Sequence, residues 1–386
     1  MMIKLREVAV AGVGLTRFDI YDGNKGRALK ECDQLGTEAI LDALKEADMK
    51  LSDVQAAFCG KVYSGTAAGH NAIVRIGKTG MPIINLENAC SSGGSAMRLA
   101  YEAIAREQYD VVLAFGLEEA PRGGMLKSTS WPLYQRMMGF NVQPASYAMG
   151  AVRYMEETGA TDEDFSLVTV KNRKNGALNP YARFQKPVTL EEVMASRMVA
   201  TPLRLLHACP LADGAAAAIL CAPDKLKSKE KKVTVAATVL TSGTYGHEYG
   251  GGSVKIKTQH TVPLSAQMAY EMSGMGPEDM DVVQAYDTMS AGELWDLEKM
   301  GFCEKGEGPG LLRDGCFDID GRLPVNTDGG LMSRGHPLGA TGIAQIIEIY
   351  RQIRGEAGKR QVKGAKAGLA HAMGAGPNSS ITILKR

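Results

Sequence analysis

Two stretches far apart in the chain repeat each other in nearly one register, and this limits the fold more than any other feature. VAVAGVGLT from Val8 matches VTVAATVLT from Val233, 225 residues later. LSDVQAAF from Leu51 matches PEDMDVVQAY from Pro277, with Asp53 and Asp279 226 residues apart. A third parallel concerns helices. Apolar positions at Met97, Ala100, Tyr101 and Ile104 follow Cys90, and Ile343, Ile346, Ile347 and Tyr350 follow GHPLGATG with the same i, i+3, i+4, i+7 spacing. An internal duplication accounts for all three, each half carrying a glycine-rich turn that opens a helix.

Short β-branched runs alternate with helical patterns, which predicts an α/β fold of βαβ units with a largely parallel sheet covered on both faces. Strands are expected at Glu7–Ala11, Val111–Phe115, Lys232–Val239, Val282–Tyr286 and Ala365–His371. After Glu119 the alternation gives way to segments rich in Gly, Pro, Met and aromatic residues, read as an inserted lobe. The charge run Asp224–Lys232 reads as a solvated linker between the halves. The expected organisation is therefore a first half of residues 1–118 and 193–226, a lobe of residues 119–192 and a second half of residues 227–386.

Composition excludes several classes of function. With 44 basic against 43 acidic side chains, the chain has no electrostatic footprint for nucleic acid or an anionic membrane. No apolar run approaches the ~18–20 residues of a membrane span, and Met1–Phe18 holds no signal-peptide core, so a cytoplasmic protein is expected. The seven cysteines form no CxxC pair, and His207 and Cys209 in LLHACP have no second pair, so neither a disulfide framework nor a metal site is expected. AGVGLTRF lacks the third glycine of a dinucleotide fingerprint, and GxxxxGK[ST] is absent.

Four residues have the chemistry and setting of a reaction centre. Cys90, in NACSSGG, precedes a predicted helix whose N-terminal N–H groups and dipole favour a thiolate; the bland alternative is a small buried hydrophobe. His336, in SRGHPLGATG, is fixed on a tight turn with Pro337 at the helix start, where it suits a proton carrier or a satisfied structural histidine. His371 ends a predicted buried strand. Tyr286, followed by Asp287, ends another, where a tyrosine is commonly a rim residue. His70, in GTAAGHN, is a further candidate.

Beyond this residue-level reading, the sequence resembles the thiolase superfamily over nearly its whole length. NACSSGG resembles the nucleophilic-cysteine loop, GGLMSRGHPLGATG the GHP loop, and AHAMGAGPNSSITIL the terminal loop that carries CxG in many members. ALNPYARFQKPVTLEEVMAS and PLADGAAA fit the same pattern. Where common thiolases have NEAF and CxG, this chain has Tyr286 in YDTM and His371 in HAMG, similar to sterol carrier protein-X-type thiolases and archaeal and bacterial relatives.

The resemblance implies duplicated βαβαβ halves in a layered αβαβα arrangement and thiolytic cleavage of a 3-oxoacyl-CoA. In that scheme Cys90 is the acylated nucleophile, His336 takes its proton, and His371 does the acid/base work of the missing second cysteine with a pKa nearer neutral than a thiol's. The backbone N–H groups of Cys90 and of Gly374 or Met373 form an oxyanion site. Tyr286 either holds water or, as in aldolase-like relatives, acts as a base in retro-aldol cleavage. Coenzyme A is implied as co-substrate with no permanent cofactor, and a homodimer or dimer of dimers as the assembly. A small partner bearing a zinc ribbon and an OB fold is implied as well, which leaves open a scaffold role that needs the partner. Arg173, Lys174, Arg183 and Lys186 are candidates for the CoA phosphates. Trp131, Tyr134, Met137, Met138 and Phe140 could line an acyl pocket or an interface, and an aryl or bulky acyl group such as 2-benzoylsuccinyl-CoA, or acetoacetyl-CoA, is the expected substrate.

Overall fold

The first pair of repeated stretches becomes the two central strands of a single sheet. The structure is a computed structural model that describes residues 5–122, 133–138, 142–227, 232–243, 261–375 and 378–386. Its strands are β1 (Ala9–Leu15), β2 (Ala56–Gly60), β3 (Ile83–Leu86), β4 (Val111–Glu118), the short hairpin β5 (Met198–Ala200) and β6 (Leu203–Arg204), then β7 (Gly214–Cys221), β8 (Val233–Ser242), β9 (Val282–Gln284), β10 (Ala367–Gly374) and β11 (Asn378–Lys385). Nine of them pair in the order β3-β2-β4-β7-β1-β8-β11-β10-β9. At the centre, β1 and β8 run antiparallel and Ala9 pairs with Thr234, the residue 225 positions on. The approximate twofold of the duplication passes through that pair.

The expected parallel sheet is corrected here. Only β2–β3, β2–β4 and β9–β10 are parallel among the described pairings, whereas β4–β7, β1–β7, β1–β8, β8–β11 and β10–β11 are antiparallel. The reason is local: β11 follows β10 after a short turn, which permits only an antiparallel neighbour, and β7 occupies the equivalent place beside β4.

Period-2 alternation divides the strands between two faces. Val112 and Ala114 of β4, with Ala370 of β10, face the inner helices α3 (Ser92–Ala105) and α12 (Leu338–Arg354). Leu113 and Phe115 face the outer helices α1 (Cys32–Ala47) and α2 (Ala68–Val74). On the second half, Leu369 and Ile381 face α8 (Thr261–Ser273) and α9 (Ser290–Lys299). The sheet thus wraps a central helix layer and gives the αβαβα layering. Between β4 and β7 lie α4 (Leu133–Met137), α5 (Gln143–Thr158), α6 (Asp162–Gly176) and α7 (Leu190–Ala195); between α9 and α12 lie α10 (Gly308–Arg313) and α11 (Gly330–Arg334). Among the described residues no helix is long and apolar enough to cross a membrane.

The first turns of α3 and α12 cross in close contact, because glycine occupies each point of closest approach. A Cβ on Gly93 would lie 2.9 Å from Gly339 O, one on Gly342 2.5 Å from Gly94 N, and one on Gly339 2.5 Å from Gly60 O and 2.6 Å from Leu117 O. Backbone atoms cannot yield as a side-chain end can. Gly339→Ala is therefore expected to cost about 3 kcal/mol, read as a lower urea midpoint. Gly310→Ala, whose Cβ meets nothing within 4 Å, stays within about 0.5 kcal/mol of the parent.

Candidate active site

The glycine crossing carries Cys90 and His336 to one place, each two residues ahead of its helix. Ala89 has φ of 48°, a left-handed conformation uncommon without glycine, so the chain turns sharply and presents Cys90. Hydrogen bonds hold the turn: Ser92 N donates to Ala89 O (3.0 Å), and Ser92 Oγ accepts from Asn88 N (2.8 Å). Ser91 Oγ ties it to the terminal hairpin through Ser380 Oγ (2.9 Å) and Ala372 O (3.2 Å). Cys90 is buried in a cluster with Tyr286, Leu331, Leu338 and Ala372, against which Val62, Cys209 and Leu211 also pack.

His336 is aimed from both ends. Its backbone N–H donates to Pro210 O (3.0 Å), and its Nδ1 lies 2.8 Å from Thr341 Oγ1. Because the Thr341 hydroxyl donates its proton to Pro337 O (3.0 Å), it can only accept from the ring, which assigns the proton to Nδ1 and the lone pair to Nε2. Nε2 faces the Tyr286 hydroxyl at 3.3 Å. That hydroxyl also interacts with Cys90, which shares its buried cluster, so a phenol stands between sulfur and imidazole.

Burial sets the protonation states. The Cys90 thiol is pushed up to about 11 by desolvation, which outweighs the Tyr286 hydrogen bond and the N–H groups of Cys90 and Ala375 that favour the thiolate. The expected thiolate-favouring helix terminus is thus overridden by burial. His336 is pulled down to about 3 by burial and then by Arg334, and Tyr286 is raised by burial. Cysteine, tyrosine and histidine are all neutral at rest.

His371 departs from expectation. Alternation along β10 turns Ala370 and Ala372 inward, so Ala372 faces Cys90 while His371 shares the outer face with Leu369. His371 touches the site only by standing edge-on to the Tyr286 ring, centroids 6.4 Å apart. Its Nδ1 lies 3.8 Å from Asp296 Oδ2 in α9, and burial followed by Lys299 pulls it down to about 3, away from the expected neutral range. In the terminal loop the Ala375 N–H lies near the sulfur, and Gly374 brings the loop in where a Cβ would lie 2.5 Å from Asn88 O. Met373 packs beside the same cluster.

The other candidates scatter. His70 is exposed, bonded to Asn85 Nδ2 (2.9 Å) next to the sheet edge. His207 is a satisfied structural histidine between Ser166 Oγ (2.8 Å) and Arg204 N (3.2 Å). No group of three metal ligands occurs among the described residues. Arg183 donates to Leu211 O beside the site, Arg173 stacks on Phe184 at 4.1 Å, Lys174 pairs with Asp318 at 3.3 Å, and Lys186 is exposed. Tyr134, Met137 and Met138 are exposed; Trp131 and Phe140 lie outside the described residues.

Two residues whose parts were not foreseen support the site. Asp287 accepts from Leu331 N (2.7 Å), Met332 N (3.2 Å) and Asn172 Nδ2 (2.8 Å), pinning the Tyr286 loop to α11 and α6. Cys209, set aside as a metal ligand, packs against the Cys90 cluster and donates its N–H to Thr288 O (2.9 Å). The Asp287 role could have been suspected from YD at a strand end; nothing in the sequence marks Cys209.

Residues 8–224 match the model of the thiolase N-terminal domain, and residues 253–386 that of the thiolase C-terminal domain-like family. The chain belongs to the thiolase family. It is an acyltransferase of that family and shares the thiolase fold. It is 38% identical to an acetyl-CoA acetyltransferase of Methanothermobacter thermautotrophicus, over 99% of this chain and 100% of the relative. It is also 38% identical to the benzoylsuccinyl-CoA thiolase subunit BbsB of Thauera aromatica, over 96% and 95%. The solved Ltp2–ChsH2(DUF35) aldolase superposes with a TM-score of 0.85 at 29% identity, covering 99% of this chain and 98% of that one.

A thiol held neutral by burial makes a direct forecast for this thiolase. Iodoacetamide labelling of Cys90 in the free protein should rise about tenfold per pH unit from pH 7 to 10 without levelling, because only the thiolate reacts. A plateau already reached near pH 8 would mean that sulfur and imidazole form an ion pair at rest.

Proposed function

We propose that the protein cleaves a 3-oxoacyl-CoA with coenzyme A through an acyl group carried on Cys90. The observation behind this is the Tyr286 hydroxyl set between the Cys90 sulfur and Nε2 of His336, whose other nitrogen is committed to Thr341. Since thiol and imidazole are both neutral at rest, the proton leaves sulfur as the sulfur–carbon bond forms, passing to Nε2 directly or through the phenol. The alkoxide is held by the N–H groups of Cys90 and the terminal loop, at Ala375 with Gly374 beside it. Collapse breaks the carbon–carbon bond, and the proton taken from sulfur passes to the departing carbon, giving acetyl-CoA when the 2-carbon is unsubstituted. A CoA thiol then attacks the acyl-cysteine, its proton travels back to the Cys90 sulfur, and the acyl group leaves as its CoA thioester. His371 acts behind Tyr286 rather than at the sulfur.

The acyl group is proposed to be aryl or otherwise bulky, on the similarity to BbsB; equal identity to an acetyl-CoA acetyltransferase makes acetoacetyl-CoA the comparison substrate. The description of one relative as a subunit and of another structure as a complex supports a small partner of the zinc-ribbon and OB-fold kind. A homodimer through the outer strand β3, where Ile84 is half exposed, and a cytoplasmic location complete the proposal. The three-part organisation into two halves and a lobe of residues 119–192 remains part of it.

A second reading has one observation of its own. A buried phenol beside the reacting centre, in a chain similar to a solved aldolase, suits retro-aldol cleavage of a 3-hydroxyacyl-CoA with Tyr286 as base. Intact-protein and peptide mass spectrometry after exposure to acetoacetyl-CoA and 2-benzoylsuccinyl-CoA separates the two. Acyl transfer requires a mass increment on the Cys90 peptide, loss of turnover in Cys90→Ala, and a fall of about 10²–10⁴-fold in kcat for His336→Ala. Cleavage of a 3-hydroxyacyl-CoA supplied in parallel that survives Cys90→Ala without added CoA and disappears in Tyr286→Phe would replace this reading with the aldolase.

A further inference from the structure

Glu118 ends β4 and is fully buried, yet the chemistry above leaves it unused. Its carboxylate accepts five hydrogen bonds: from Val62 N (3.0 Å) and Gly339 N (3.1 Å) at Oε2, and from Tyr63 N, Ser64 N and Ser64 Oγ (each 2.9 Å) at Oε1. Four of these partners are backbone N–H groups that can only donate. The fifth, the Ser64 hydroxyl, already accepts from Glu119 N at 3.2 Å. The four backbone N–H donors and the Ser64 hydroxyl favour the carboxylate, against burial, which pushes its pKa up. Burying a carboxylate forfeits hydration, a cost that a neutral side chain filling the same space would avoid.

The partners lie on opposite sides of the pocket. Val62 packs against the Cys90 cluster from the first half, while Gly339 follows Leu338, another wall of that cluster, three residues after His336 in the second half. We propose that Glu118 is a positioning residue for the acyl transfer: its carboxylate locks the 62–64 loop and the first turn of α12 together, so that Cys90 and His336 keep their mutual geometry. This rests on the acyl-transfer reading.

The charge has a second effect. The ionisable groups facing Cys90 among the described residues are Tyr286, with His336 behind its hydroxyl, Tyr63, Tyr147, Cys209 and Glu118, and Glu118 is the one carboxyl among them. On its own side Glu118 faces the Cys32 and Cys59 thiols, and Lys61 directs its ammonium to Ser64 O at 3.0 Å. Burial is the main obstacle to ionisation of Cys90, and the Glu118 carboxylate adds to it.

Glu118→Asp retains the charge but shortens the reach, whereas Glu118→Gln keeps the length, removes the charge and sets an NH₂ against N–H donors. Thiolysis of acetoacetyl-CoA by the full chain should lose about 10–100-fold in kcat in both variants with little change in KM. The alkylation midpoint of Cys90 should stay put in Glu118→Asp and fall by about one pH unit in Glu118→Gln. Ser64→Ala, which drops one bond and keeps the charge, extends the test should a Glu118 variant not fold: kcat down, midpoint unmoved. Parental kcat in both Glu118 variants, or in Ser64→Ala where it stands in for them, overturns the proposal. So does a loss of kcat in which all seven thiols become reactive together, because that reduces Glu118 to a residue of the fold. Absence of CoA-dependent turnover in the unaltered protein would defeat the acyl-transfer reading instead, while alkylation, which needs no turnover, would still report the charge.

Discussion

The contact of Gly93 and Gly94 with Gly339 and Gly342 is the constraint on which the site depends. Two helices with side chains at the crossing would stand 8–10 Å apart. Here backbone meets backbone, and Gly60 and Gly116 clear the adjoining strand ends by the same means. Helices that cross at their first turns bring their leading loops together, and those loops hold the sulfur and the imidazole. Catalytic geometry is thus a by-product of helix packing, and the crossing is as intolerant of a methyl group as any part of the core.

Burial governs the chemistry once the loops have met. A helix terminus alone lowers a thiol pKa, and the sequence invites that conclusion for Cys90. In the folded protein, desolvation outweighs it and moves sulfur and imidazole in opposite directions, to about 11 and about 3. Transfer of a proton between them is unfavourable by itself. In the proposed acyl transfer a substrate carbonyl takes up the electrons of the forming bond, with backbone N–H groups for the alkoxide, and offsets that cost.

The duplication, the alternation of strands and helices, and the paired glycine turns were legible because each leaves a periodic or repeated trace. Cys90, His336 and Tyr286 were legible by motif, and the fold brings them together. Strand direction was not, since the β10–β11 turn differs from a helical crossover only in length. The face that His371 takes was not legible either: in a strand adjacent positions face opposite layers, and HAMG does not say which of His371 and Ala372 looks inward. Cys209 and Glu118 were silent because their significance lies in neighbours more than fifty residues away.

Because Cys90 and His336 both stand two residues before their helices, and Ala9 pairs with Thr234 across the local axis, nucleophile and base occupy matching posts in the two copies. A strictly symmetric pair of halves would present the same side chain twice at this point, two sulfurs or two imidazoles. Two unlike halves in one chain let each post hold its own group, and the seam carries an asymmetric pair.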